Sequence, residues 1–245
     1  GWPLWAFWRI AGSLPLLAAF VLYERTVAVR TGAPLLELSL FRHRAFTVGL
    51  IVILTFFSGI SMFFMMLTIY LQSGLHFSAL DVGLVLSPFA VGFFLASVAS
   101  VKVAPLLGTR TLNVAAGLMC LSLGTTIRII GSRGASLHMA DLLLVLFSYG
   151  AGQGLMVSPL FNIIMSGAVG ADAGSASGTL STIQQVAGSI GVAAMGTVFF
   201  SLLGRNPRVI DFETAITRTL RYNIMLIALT FLLVFLLPRN SNSAS

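Results

Sequence analysis

Charge is what this sequence has least of. Only 9% of its 245 residues are Asp, Glu, Lys or Arg, against roughly 25% in soluble domains, so its surface is not built to face mainly water. Cysteine is nearly missing too. Cys120, inside an apolar run, is the single thiol, which excludes an intrachain disulfide and a cysteine metal site and leaves a small, inert, buried side chain. His43, His76 and His138 fall at the edges of apolar runs on separate loops, with no His-x-x-x-His pair. No nucleophile elbow or phosphate loop is present, so an enzyme has no convergent polar triad to work with, and no cofactor or metal is expected. The chain opens Gly1-Trp2-Pro3, with no Met and no basic-then-apolar signal pattern, and reads as cut out of a longer one.

What is present is apolar sequence, 57% of the residues, with a mean hydropathy of +0.99. About 20 apolar residues cross a bilayer core, and seven runs qualify: Trp5 to Tyr23, Phe46 to Tyr70, a third from the Ser78-Ala79-Leu80-Asp81 capping box to Val101, a fourth capped by Thr111 and ending near Ile127, a fifth beginning near Asp141 and reaching Met165, a sixth from Ala173 to Leu203 capped by Asp172, and a seventh that starts at Asp211, enters the membrane near Tyr222 and leaves at Pro238. Gly131 to Gly134 reads as a turn, and Asn240 to Ser245 as a disordered tail. Lipid cannot satisfy open backbone groups, so the fold class is all-α, a polytopic membrane helix bundle. The net charge of +7 is scattered between the spans as interfacial anchors and topology signals; no nucleic-acid motif accompanies it.

The last six spans divide as three plus three. Asp81-Val82-Gly83 and Asp172-Ala173-Gly174 occupy corresponding turns of the two triplets, as an inverted repeat requires. The loop from Glu24 to Arg44 holds Arg25, Arg30, Arg42 and Arg44, and tips the orientation towards placing it in the cytoplasm with Lys102, Arg110 and Arg239.

Helical wheels separate lipid-facing from inward-facing stripes. In the second span Thr47, Ser58, Ser61, Thr68 and Gln72 share a narrow sector with Phe57, Phe64 and Met65. Such a stripe is either interhelical hydrogen bonding or a water-accessible substrate wall. In the sixth span Gly174, Ser177, Gly178, Ser181, Gly188, Gly191 and Gly196 crowd one half, which also carries Gln184 and Gln185. The glycines allow close helix approach. The two amides bring donors and acceptors that hydrocarbon cannot satisfy, either as glue or as the polar lining of a pathway. The candidate substrate-binding residues are therefore Ser58, Ser61, Met65, Thr68, Gln72, Gln184 and Gln185. Pro88 and Pro159 are internal prolines, the second preceded by Gly150, Gly152 and Gly154; Pro88, Gly154 and Pro159 are either fixed bends or conformational hinges. No acid or base lies near the middle of spans two to seven, so a proton-coupling group belongs mainly to a part of the protein outside this chain.

The run Ser177-Gly178-Thr179-Leu180-Ser181-Thr182-Ile183-Gln184-Gln185-Val186-Ala187-Gly188-Ser189-Ile190-Gly191-Val192-Ala193 resembles the penultimate-helix signature of the EmrB/QacA-type drug transporters, fourteen-helix members of the major facilitator superfamily. Pro34 to Arg42 resembles the cytoplasmic segment before their ninth helix, Tyr70-Leu71-Gln72 with Ser78 to Pro88 the next hairpin, and Gly150 to Pro159 their glycine-rich twelfth helix. The resemblance implies that residues 1–44 are an accessory transmembrane helix and cytoplasmic linker and residues 45–245 the C-terminal six-helix domain. It implies a multi-pass protein of the plasma (inner) membrane, whose partners are the bilayer, a small hydrophobic substrate and the N-terminal half of the same transporter. The implied activity is proton-driven efflux of hydrophobic, often cationic compounds. The loop Lys102 to Arg110 departs from the family pattern by lacking its acid. Two alternatives stand beside drug export: a transporter dedicated to one metabolite or siderophore, and a degenerate membrane subunit that does not transport.

Overall fold

The computed structural model describes residues 44–108, 110–165, 172–204 and 207–236, together with scattered helical positions between Ala11 and Thr26. Most of the first expected span, the arginine-rich loop after it, and the tail lie outside the described residues.

Six long helices account for spans two to seven: α1 (Arg44–Ile69), α2 (Ala79–Leu107), α3 (Arg110–Arg133), α4 (Met139–Met165), α5 (Asp172–Leu203) and α6 (Val209–Val234). All six are long and apolar enough to cross a membrane. Their starts follow a common device. Ser78 and Asp81 form the expected capping box on α2, with the Asp81 backbone N–H donating to Ser78 Oγ at 3.1 Å and the Ser78 N–H donating to Asp81 Oδ2 at 3.1 Å. Asp141 and Asp211 accept likewise from the N–H groups of His138 (3.0 Å) and Arg208 (2.8 Å). Each carboxylate satisfies an orphan donor and lies at the positive end of its helix.

The ends differ from the sequence expectation in several places. The second span ends at Gly74, the glycine that the sequence marks as its terminator, through a π-helical turn, Tyr70–Gly74, with Tyr70 and Leu71 buried, and His76 then adopts a left-handed φ of 59°. The third span runs past Lys102 to Leu107, with Pro105 in its last turn. Thr111 does not cap the fourth span, since α3 already begins at Arg110 and the Thr111 hydroxyl is buried without a partner. The turn expected at Gly131 is still helix; the chain bends at the 3₁₀ turn Gly134–Ser136. The seventh span begins at Val209, two residues before Asp211.

Apart from α3 with α4, sequence neighbours are not the main packing partners. α1 packs chiefly on α5 and α6, α2 chiefly on α4, and α3 on α4 and α6. α1 is the most deeply buried of the six and α2 the least. The core is built around Val52, Ile53, Phe56, Met62, Phe63, Met66, Leu67 and Tyr70 of α1, with Leu146, Tyr149, Met156 and Leu160 of α4. Inside a bilayer, lipid tails are as apolar as these side chains, so packing and interhelical hydrogen bonds hold the bundle.

Two glycine-mediated crossings let helices touch backbone to backbone. At α2–α4, a Cβ on Gly92 would strike the Phe147 carbonyl, one on Gly150 the Phe89 carbonyl, and one on Gly154 the Phe93 carbonyl. At α1–α5, a Cβ on Gly191 would strike the Ser58 carbonyl, and one on Gly188 would come within 2.8 Å of Ser61 Oγ.

Candidate functional site

The polar sector of α1 splits into two parts. Ser58 is buried, and its hydroxyl lies 2.7 Å from the Leu54 carbonyl oxygen and 2.8 Å from that of Ala187. Its single proton is therefore shared between its own helix and α5. Ser61, half-buried, sits against Gly188 at the same crossing. These two serines thus meet α5 directly, whereas Met65 and Thr68 are half-buried and Gln72 is exposed further along the helix. Thr55 Oγ1 and Thr230 Oγ1 lie 2.9 Å apart, tying α1 to α6.

The small-residue half of α5 splits in the same way. Gly188 and Gly191 are consumed by the crossing, while added Cβ atoms at Gly174, Gly178 and Gly196 would meet nothing within 4 Å. The open part carries exposed Ser177, Ser181 and Gln185, with Gln184 half-buried at its border. The Ser177 hydroxyl donates to the Gly174 carbonyl of its own helix at 2.9 Å; the exposed Gln185 amide brings donors and acceptors that hydrocarbon cannot satisfy.

Aromatic rings extend the surface from α1 to α2 and α4. Phe64 meets Phe89 edge-on with centroids 4.7 Å apart, Phe89 stacks on Phe93 at 6.3 Å, and Phe57 stacks on Phe161 at 6.4 Å. All five residues are half-buried. Beneath them Tyr149 is fully enclosed, its ring 4.3 Å from Phe63. The sequence pattern drew attention to Phe57 and Phe64 but not to Phe89, Phe93 and Phe161; their only signal is the four-residue step from 89 to 93, which ordinary lipid-facing phenylalanines also show.

The three hinge candidates have different surroundings. Pro88 leaves the Leu84 carbonyl without its helical donor, and the neighbouring Ser87 hydroxyl supplies one at 2.8 Å. Gly154 is pressed against α2 at the Phe93 carbonyl. Pro159 is buried and borders a cavity of about 650 Å³ at the ends of α2, α4 and α6. None of the aromatic or amide residues named above lines that cavity.

Buried amides form a second group that sequence reading did not single out. Asn223 of α6 is fully enclosed and donates through Nδ2 to the Gly59 carbonyl at 3.0 Å. Gln153, hidden within the glycine-rich stretch of α4, is 8% exposed and its Oε1 has no partner. These groups are neutral. Among the described residues no three His, Cys, Asp or Glu side chains converge. The surface can therefore bind by stacking, dispersion and neutral hydrogen bonding.

Six helices long and apolar enough to cross a membrane, packed as one bundle, make this a polytopic membrane protein. The comparisons place it: residues 1–192 match the Major Facilitator Superfamily, and the chain belongs to that family. It is 38% identical over 208 residues to a probable actinorhodin transporter of Streptomyces coelicolor, a match covering 83% of this chain and 36% of that protein. It is 28% identical over 186 residues to the multidrug resistance protein Stp of Mycobacterium tuberculosis, covering 76% of this chain and 33% of that one. With the puromycin resistance protein pur8 of Streptomyces alboniger it shares 29% identity over 201 residues, 81% of this chain and 39% of the relative. The chain thus spans about a third of the length of the curated relatives it matches.

Proposed function

We propose that this chain is the C-terminal part of a plasma-membrane transporter that exports hydrophobic or cationic compounds by proton antiport. The observation that carries the reading is the surface running from the α5 strip (Ser181, Gln184, Gln185) across α1 (Met65, Thr68, Gln72) to the rings of α2 and α4. It combines adaptable apolar groups with neutral hydrogen-bonding ones and carries no fixed charge, which suits varied lipophilic substrates. The names of the relatives, resistance and export proteins, support it.

The surface is one-sided, and alternating access needs a second wall. Residues 45–245 act as the C-terminal domain, opposed by an N-terminal half of the same transporter that supplies the principal coupling acid, and residues 1–44 supply an accessory helix and linker. Within the six helices a three-plus-three inverted repeat relates α1 to α4, α2 to α5 and α3 to α6. The packing supports this, because the contact of α2 with α4 has its counterpart in α5 with α1, and that of α3 with α4 in α6 with α1. The two glycine crossings fall on the first of these paired contacts.

The test replaces Gln184 and Gln185 with Leu in the full-length protein and measures dye efflux per molecule at the membrane. Efflux of at least some substrates should fall while expression stays normal. Unchanged efflux per molecule, with lowered thermal stability, would assign both amides to packing instead. A second reading, export of one dedicated metabolite, is favoured by the actinorhodin relative; a protein that moves a single metabolite and no dye in a panel would decide for it.

A further inference from the structure

The cavity beside Pro159 belongs to no part of the export surface. It lies where α2, α4 and α6 end and α3 begins, on the same side of the bundle as Arg44 and Lys102, the side the arginine-rich loop assigns to the cytoplasm. Its polar lining comprises Arg110, Asn113, Asn162, Ser100 and Ser158, and no Asp or Glu lines it among the described residues. Arg110 has no carboxylate partner among them either. The opposite wall is apolar and opens outward: Val101, Leu107 and Phe235 line the cavity and are 72%, 42% and 57% exposed.

We propose that this cavity binds the phosphate headgroup of an anionic phospholipid, with the start of an acyl chain along Val101, Leu107 and Phe235. Three observations converge. A lone cation facing a cavity without carboxylates selects a net negative ligand, since the ammonium of a zwitterionic headgroup would find no partner there. The amides supply neutral donors for the remaining phosphate oxygens. The rim is apolar and sits at the end of membrane-crossing helices, where headgroups meet hydrocarbon, and basic pockets between helices on the cytoplasmic side suit anionic heads. At about 650 Å³ the space is of the size that small-molecule ligands occupy.

The experiment uses the full-length protein, delipidated in detergent and exposed separately to phosphatidylglycerol, phosphatidylcholine and inorganic phosphate. Bound lipid is counted by native mass spectrometry and melting temperature is read in parallel. Phosphatidylglycerol should be retained and raise the melting temperature, and phosphatidylcholine should be retained about tenfold less. Arg110→Gln should cut retained phosphatidylglycerol about tenfold, and Arg110→Lys should keep most of it. Ala104→Phe, which fills the cavity without touching charge, should displace the lipid as well; if that variant fails to fold, the Arg110 pair decides alone. Undiminished phosphatidylglycerol in Arg110→Gln, or equal retention of phosphatidylcholine, would overturn the proposal. Equal stabilisation by inorganic phosphate alone would overturn the lipid source and leave a free-anion site.

Discussion

Alanine at Gly191 and alanine at Gly117 should change stability in opposite directions. Both positions lie inside long helices, where Gly→Ala gains about 1 kcal/mol of helix propensity. A methyl at Gly117 meets nothing within 4 Å, so that gain is all that happens. A methyl at Gly191 lands on the Ser58 carbonyl, and α1 and α5 must separate or distort. Overpacking of this kind costs about 1 to 3 kcal/mol. Separation also breaks the hydrogen bond from Ser58 to the Ala187 carbonyl, 2.8 Å long, worth about 0.6 to 2 kcal/mol in a membrane. The net for Gly191→Ala is then a loss of about 1 to 4 kcal/mol, against a gain of up to about 1 kcal/mol for Gly117→Ala. Detergent unfolding followed by size exclusion of a fluorescent fusion reads both. Equal stability of the two variants would refute the close approach of α1 and α5.

Cysteine placed at Ser132, exposed at the end of α3, should react with an impermeant thiol reagent added outside intact cells, while cysteine at Thr31 should not; the reverse labelling would invert the orientation. Asn223→Leu should lower stability by about 0.6 to 2 kcal/mol, because the Gly59 carbonyl loses its donor, and a melting curve unchanged from wild type would remove that bond from the account. Thr111→Val should leave the melting curve unchanged or raise it slightly, since it deletes a buried hydroxyl that has no partner. Arg133→Gln should shift stability by less than about 1 kcal/mol, its contact with Asp141 being 3.4 Å long and more than half exposed on the arginine side.

The helices were legible because apolar runs of span length have one stable solution in lipid. Their ends were less so. Lys102 and Pro105 look like a loop in one dimension, yet α2 continues through both to Leu107. Gly131 looks like a break, yet α3 carries it as helix. For the candidate site, a helical wheel shows which residues share a direction but not what lies in that direction. Ser58, Ser61, Gly188 and Gly191 were visible as small and polar; that they meet one another, while Gln185 and Gly178 meet open space, depends on how two distant helices cross. Phe89, Phe93 and Phe161 were invisible for a different reason. Phenylalanine is equally at home against lipid and against substrate, so residue type alone does not reveal that these rings cluster.

The order in which these helices find their partners has a bearing on how the protein is made. α1 scarcely touches α2; its chief neighbour is α5, and Ser58 and Ala187 are 129 residues apart in the chain. At a synthesis rate of about 5 to 20 residues per second, roughly 6 to 25 seconds pass between the emergence of one and the other. Through that interval α1 waits in the bilayer with its serine stripe unmatched, and α2 waits likewise for α4. The nascent domain therefore depends on the insertion machinery or on temporary lipid and water contacts to shelter those faces. A substitution that makes the α1 stripe more polar could leave the finished fold unharmed and still reduce yield, by prolonging a vulnerable state that exists only during synthesis.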